Sequence, residues 1–163
     1  MKIPAFLFTL ALFVLSCQKP EEVVPSPLAM PSAEQCGEAG ARLQAVFDGN
    51  DWCANVNLFA SPASGEITIN GLSTAGSTLT LQLDTMAPGT YDMSTSANVL
   101  LFTTSFGIGY MSADPFPTTL TIIEHDTVAD RIKGSFSGQL TAAIGGGPRS
   151  IEGSFDMHYL PEE

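Results

Sequence analysis

Beyond residue 40 the chain alternates polar and apolar residues with a period of two. Thr78-Leu79-Thr80-Leu81-Gln82-Leu83-Asp84 and Glu66-Ile67-Thr68-Ile69-Asn70 each put one set of side chains on one face and the rest on the other. Glu152-Gly153-Ser154-Phe155-Asp156-Met157-His158-Tyr159 does the same, its small and apolar residues sharing a face. This is the pattern of half-buried β-strands. Further strands are expected over 42–47, 52–60, 97–104, 107–112, 118–125 and 132–143. Gly, Pro, Asn and Asp separate them at short intervals. Asp48-Gly49-Asn50-Asp51 predicts a tight hairpin, since Gly and Asn accept positive φ, and Gly145-Gly146-Gly147-Pro148 predicts the loop joining the last two strands. Pro88-Gly89 is expected to turn the chain and feed Tyr91 into a strand. In Gly134-Ser135-Phe136-Ser137-Gly138 small residues flank an aromatic, which suits a strongly twisted or bulged strand. The expected fold is all-β, an antiparallel meander of about 8–10 strands forming a small barrel or sandwich.

Ahead of this domain the pattern changes. Lys2 precedes a short apolar run from Ile3 to Leu15, too short for a stable spanning helix, and Ser16-Cys17 follows. Val14-Leu15-Ser16-Cys17 resembles the signal of bacterial lipoproteins, with an aliphatic residue three before the cysteine and a small one directly before it. Residues 1–16 are read as the signal peptide and Cys17 as the lipidated first residue of the mature chain; ordinary cleavage near Ser16 is the competing reading. The resemblance implies a diacylglyceryl group and an added N-acyl chain of the palmitate kind. Two or more chains anchor stably where one does not. The expected partner is therefore the membrane, held through lipid. Residues 17–40 read as the lipidated cysteine and a tether rich in proline, with Ser32-Ala33-Glu34-Gln35 as the capped start of a short helix or turn. Residues 41–163 read as a single β domain. Gln18-Lys19-Pro20-Glu21-Glu22 resembles the export signal of surface lipoproteins in Bacteroidetes-type bacteria. The expected location is the outer membrane, surface-exposed, with the periplasmic face as the alternative.

The 163 residues include 6 basic and 17 acidic side chains, a net charge of −11. That argues against nucleic acid or anionic lipid as a partner bound through charge. Of the three cysteines, Cys36 and Cys53 remain if Cys17 is lipidated, and an exported domain allows them to pair. Buried thiols or an intermolecular bond are the alternatives. A hairpin centred near Gly49 places Cys53 opposite Val46, so the segment before residue 41 has to fold back for the bond to form. Neither cysteine adjoins a cation or histidine that would activate it.

The remaining chemistry is sparse. His125, in Glu124-His125-Asp126, and His158 lack a spaced metal-ligand set, and neighbours on a strand point to opposite faces. Asp126-Thr127-Val128-Ala129-Asp130 reads as a turn capped by Asp126, not as a calcium loop. The triple glycine precedes no helix start and is read as a hairpin loop, not a phosphate cradle. No Gly-x-Ser-x-Gly elbow is present. No catalytic residue, metal or cofactor is expected, although carboxylates that converge only in three dimensions stay open. Trp52, Tyr91, Phe102, Phe106, Tyr110 and Phe116 are expected to be mostly core, with Trp52 closing over it. Phe106-Gly107-Ile108-Gly109-Tyr110-Met111, followed by Asp114-Pro115-Phe116-Pro117, is the expected exposed functional loop.

Several patterns in fixed order carry a wider resemblance: Phe47-Asp48-Gly49-Asn50-Asp51-Trp52, Ile67-Thr68-Ile69-Asn70-Gly71, Pro88-Gly89-Thr90-Tyr91, Leu120-Thr121-Ile122-Ile123 running into Ile132-Lys133-Gly134-Ser135-Phe136, and Ile151-Glu152-Gly153-Ser154-Phe155. Over roughly residues 41–160 the chain resembles a family of Bacteroidetes lipoproteins with an all-β domain of unknown function; Cys36 and Cys53 are not part of that pattern. The resemblance implies a small β domain behind a lipoprotein signal and brings no activity with it. The expected role is that of a lipid-anchored, non-enzymatic envelope domain that binds a protein or glycan or packs with envelope partners. A carrier of small apolar ligands is the alternative, and a sugar-active or hydrolytic enzyme stands behind both.

Overall fold

The computed structural model describes Cys36 and residues 42–159. The signal peptide, Cys17 and the helix start at Ser32 lie outside the described residues. Among the described residues eleven strands follow one another: β1 Arg42–Phe47, β2 Asn50–Cys53, β3 Asn57–Ala63, β4 Glu66–Leu72, β5 Thr78–Leu83, β6 Gly89–Asp92, β7 Val99–Thr103, β8 Gly109–Met111, β9 Thr118–Asp126, β10 Arg131–Ala142 and β11 Arg149–His158. All pairings are antiparallel and join into one sheet in the order β2-β1-β11-β10-β8-β7-β5-β4-β3, with β9 also on β10 and β6 on β9.

One departure raises the count above the expected strands. The stretch read as 52–60 is two strands. The N–H of Ala54 donates to the Leu43 carbonyl at 3.0 Å, and those of Asn55 and Val56 then donate to the Leu72 carbonyl at 3.2 and 3.1 Å. The chain thus crosses from one edge of the sheet to the other in three residues. Tyr91 enters a strand after Pro88-Gly89 as expected, and this strand, β6, pairs with β9.

Turn chemistry sets the hairpins. Between β1 and β2 the two-residue turn is Asp48-Gly49, both with positive φ (50° and 77°), and Asn50 already belongs to β2. Ser64-Gly65, at 54° and 88°, makes the same kind of turn between β3 and β4. Phe47 therefore faces Asn50, and Cys53 faces Gln44, not the Val46 expected from a turn centred later. Cys36 nevertheless reaches it, and the two are joined in a disulfide with Cα atoms 5.2 Å apart.

The sheet forks at β10 and curls into a half-barrel. Gly134 to Gly138 of β10 pair with β9, while Thr141 and Ala142 on the same edge pair with Met111 and Tyr110 of β8. One limb is β6-β9-β10-β11-β1-β2 and the other β8-β7-β5-β4-β3. The core lies between them. It takes Leu43, Leu120, Ile122, Phe136 and Phe155 from the first limb and Ile67, Ile69, Leu79, Leu81, Leu83 and Leu100 from the second. Trp52 closes over this core, and its indole N–H donates to Ser77 Oγ at 2.8 Å.

Curling depends on β9, β10 and β11. The register of β9 slips opposite Lys133 and Gly134, leaving Ile123 as the extra residue of a bulge. Across β10 and β11, Gly134 faces Phe155 and Phe136 faces Gly153. Each ring lies over the opposite glycine, where a Cβ would overlap it. Two Gly-Ser-Phe triplets thus interlock head to tail, as the twisted-strand reading of 134–138 anticipated.

Candidate functional site

On the face of β9, β10, β11, β1 and β2 opposite the core lies a half-open groove of about 740 Å³. Strand register places its side chains in rows. Thr121, Ser135, Ser154 and Gln44 form one row, extended on β6 by Thr90. Thr119, Ser137, Glu152, Val46 and Asp51 form the next. Ser135 and Ser154 are the middle residues of the interlocked triplets, so the packing of the two phenylalanines on one face presents the two hydroxyls on the other. The first row carries a hydrogen bond at each end. The Thr90 and Thr121 hydroxyls are 2.9 Å apart, and Gln44 Nε2 donates to Ser154 Oγ at 3.1 Å.

Charge is divided between the rows. Asp51 and Glu152 are the carboxylates of the groove, flanking Val46 from β2 and β11. Strands two apart put such residues about 10 Å from one another along the sheet. The described lining holds hydroxyls, an amide and these acids beside Ala45, Val46 and Phe136, and among the described residues it includes no His, Cys, Lys or Arg. A third row, beyond Ser135 and Ser154, consists of ion pairs. Arg131 grips Asp156 with two bonds of 2.7 Å, Arg42 lies 3.9 Å from the same carboxylate, and Lys133 is 3.2 Å from Glu124. Burial alone would raise the Asp156 carboxyl. The Arg131 hydrogen bonds and the charges of Arg131, Lys133 and Arg42 outweigh it and hold the group below the ordinary carboxylate value. With Arg149 bound to Asp48 at 2.8 Å, each of the four basic side chains among the described residues sits in an ion pair.

The residues singled out from sequence go elsewhere. His125 is 2.7 Å from the Tyr159 hydroxyl and part of the strand end. Asp126 caps its turn, accepting the N–H groups of Val128 and Ala129 at 2.8 and 3.0 Å, and these two bonds lower its carboxyl. Among the described residues no three His, Cys, Asp or Glu side chains converge as a metal site. Gly145-Gly146-Gly147-Pro148 joins β10 to β11 as a hairpin loop. Trp52 and Phe102 are core, with Phe47 stacked on Phe102 at 4.2 Å and Tyr110 set edgewise against Phe47 at 5.1 Å. Tyr91 and Phe116 are half-buried, whereas Phe106 is exposed. The expected loop is divided by β8, whose Gly109, Tyr110 and Met111 lie within it, with 104–108 before the strand and 112–117 after it.

The groove residues were not singled out from sequence. The signal was present in the alternation of Lys133, Ser135 and Ser137 against Gly134, Phe136 and Gly138, which assigns the hydroxyls to the outer face. That these residues line one groove depends on which strands are neighbours, which alternation does not report.

Neither a curated protein nor a solved structure matches the chain. A family model does match, that of a domain of unknown function, DUF6252, over residues 40–155. This span holds ten of the strands and most of the eleventh, together with the whole groove lining. The chain therefore belongs to the DUF6252 family.

Proposed function

We propose that this is a lipid-anchored lipoprotein of the cell envelope, held at the outer membrane through Cys17, whose β domain binds a polar ligand without turning it over. The observation that carries the reading is the groove of about 740 Å³ with its two rows of hydroxyl, amide and carboxylate side chains. Such a surface offers many donors and acceptors and carries negative charge in Asp51 and Glu152. It suits a neutral or basic ligand rich in hydrogen-bonding groups, such as a glycan or an extended peptide. Among the described residues of the lining no imidazole, thiol or amine stands beside its hydroxyls to activate them, which favours binding over nucleophilic chemistry. The interior counts against a carrier of apolar molecules, because Leu79, Leu81, Leu83, Phe136 and Phe155 fill it.

The test follows amide resonances of the chain from residue 18 onward during titration with neutral oligosaccharides and, separately, with a lysine-rich peptide. Shifts centred on Thr121, Ser135, Ser154 and Gln44 are expected. Replacing both serines, Ser135→Ala with Ser154→Ala, should weaken binding about tenfold. Shifts confined to another face, or turnover of a probe, would overturn the reading. Fatty-acid labelling of whole cells, lost in Cys17→Ser, tests the anchor. External protease on intact cells separates surface display from the periplasmic face.

A further inference from the structure

Two uncharged hairpin tips meet at one end of the domain. Residues 93–113 and 134–148 contain no Asp, Glu, Lys or Arg, in a chain whose net charge is −11. Register brings them together. Met111 pairs with Thr141 and Tyr110 with Ala142, and the N–H of Ala143 then donates to the Gly109 carbonyl at 3.0 Å. The β7–β8 hairpin, closed by Thr104 N–H on the Ile108 carbonyl at 2.9 Å, thus lies beside the loop between β10 and β11. Each tip carries one large apolar side chain almost wholly in water: Phe106 is 91% exposed and Ile144 91%. Ile108, Met111 and Leu101 continue the apolar surface behind them, at 48%, 40% and 36%.

We propose that this end is a membrane-contact site, which seats Phe106 and Ile144 in the interfacial region of an uncharged lipid surface. The occupant follows from shape and charge. A stable protein interface takes about 20–30 residues a side and carries a polar rim rich in arginine. Five side chains on two narrow tips fall far short of that, and the arginine that follows the second loop, Arg149, is already bound to Asp48. Protruding apolar tips, one of them aromatic and none with charge to desolvate, match the boundary between headgroups and acyl chains. Reach is sufficient for a common bilayer if Cys17 is lipidated. The 19 residues from Cys17 to Cys36 extend to about 65 Å, against about 40 Å for the twelve residues of β10. The contact itself does not depend on that lipid or on the groove.

The experiment sediments phosphatidylcholine vesicles with the chain from residue 18 onward, which lacks Cys17 and keeps every described residue. Cosedimentation is expected, weakened about tenfold by each of Phe106→Ser and Ile144→Ser. It should be retained in Val128→Ser, whose side chain is 94% exposed in the turn at the opposite end of β10. A wild-type chain that stays in the supernatant, or a double variant that sediments as well as wild type, overturns the proposal. So does a dimer in sedimentation velocity that the double variant abolishes, since a second copy would then cover the tips. Phe106→Trp provides a readout that removes no apolar surface: its emission should shift to the blue on adding vesicles, and unchanged emission counts against the contact.

Discussion

Ser135 and Ser154 face one another across β10 and β11 because the residues on either side of them interlock. Phe155 occupies the space above Gly134, and Phe136 the space above Gly153. A Cβ on Gly134 would also meet the Thr121 carbonyl, and one on Gly153 the Gln44 carbonyl, neither of which can rotate away. Gly134→Ala is therefore expected to cost about 2–3 kcal/mol of stability, as overpacking of a tight core does, measurable by urea denaturation. Asp156 acts by charge. A carboxyl held below its unfolded value of about 3.9 adds stability above that pH and loses it as pH falls through the folded value. Asp156→Asn should be less stable by about 1–2 kcal/mol at neutral pH, the exposure of the Arg131 guanidinium moderating the loss. The gap to wild type should narrow below about pH 4, where the wild-type carboxylate takes up its proton, and denaturation curves at both pH values check this.

At the scale of elements, the edges of the sheet need protection, because among the described residues β2, β3 and β6 each have a strand on one side only. Proline in β3, Pro62, removes one donor from that edge. Beside β2 the disulfide ties Cys36 to Cys53, with Cys36 fully buried. The closed loop spans 17 residues, so replacing both cysteines by serine is expected to cost about 3 kcal/mol through the added freedom of the unfolded chain. Denaturation of the double variant beside the oxidised wild type measures it, and reduction of the wild type should reproduce most of the loss. The hairpin that presents Cys53 shows how local rules decide register. Asp48 takes the left-handed conformation together with Gly49, so the turn lies one residue earlier than Gly49-Asn50 would put it, and every pair along β1 and β2 shifts with it.

For the whole molecule, alternation along each strand assigned the two faces before any fold was known. Thr78 to Leu83 buries Leu79, Leu81 and Leu83 as its pattern requires, and the all-β class, the Gly-rich loop and the capped turn at Asp126 were legible in the same way. Each of these depends on residues within a few positions of one another, where φ preference and the period of two act directly. The crossing at 54–56 was not legible, since it depends on the carbonyls of Leu43 and Leu72, residues from opposite edges of the sheet. The groove was not legible either, because five strands from two distant stretches of the chain line it, and their side chains come together only when the sheet has formed. The uncharged character of 93–113 and 134–148 is written in the sequence, but their meeting at one end is a matter of the β8–β10 pairing. The sequence by itself determined most of the strands, the side each shows and most of the turns, because those are local steric and hydrophobic choices. The tertiary structure alone decided which strands are neighbours, and with that the rows of hydroxyls, the ring of cations around Asp156 and the paired apolar tips, because contacts between distant segments exist only once the sheet has closed on its core.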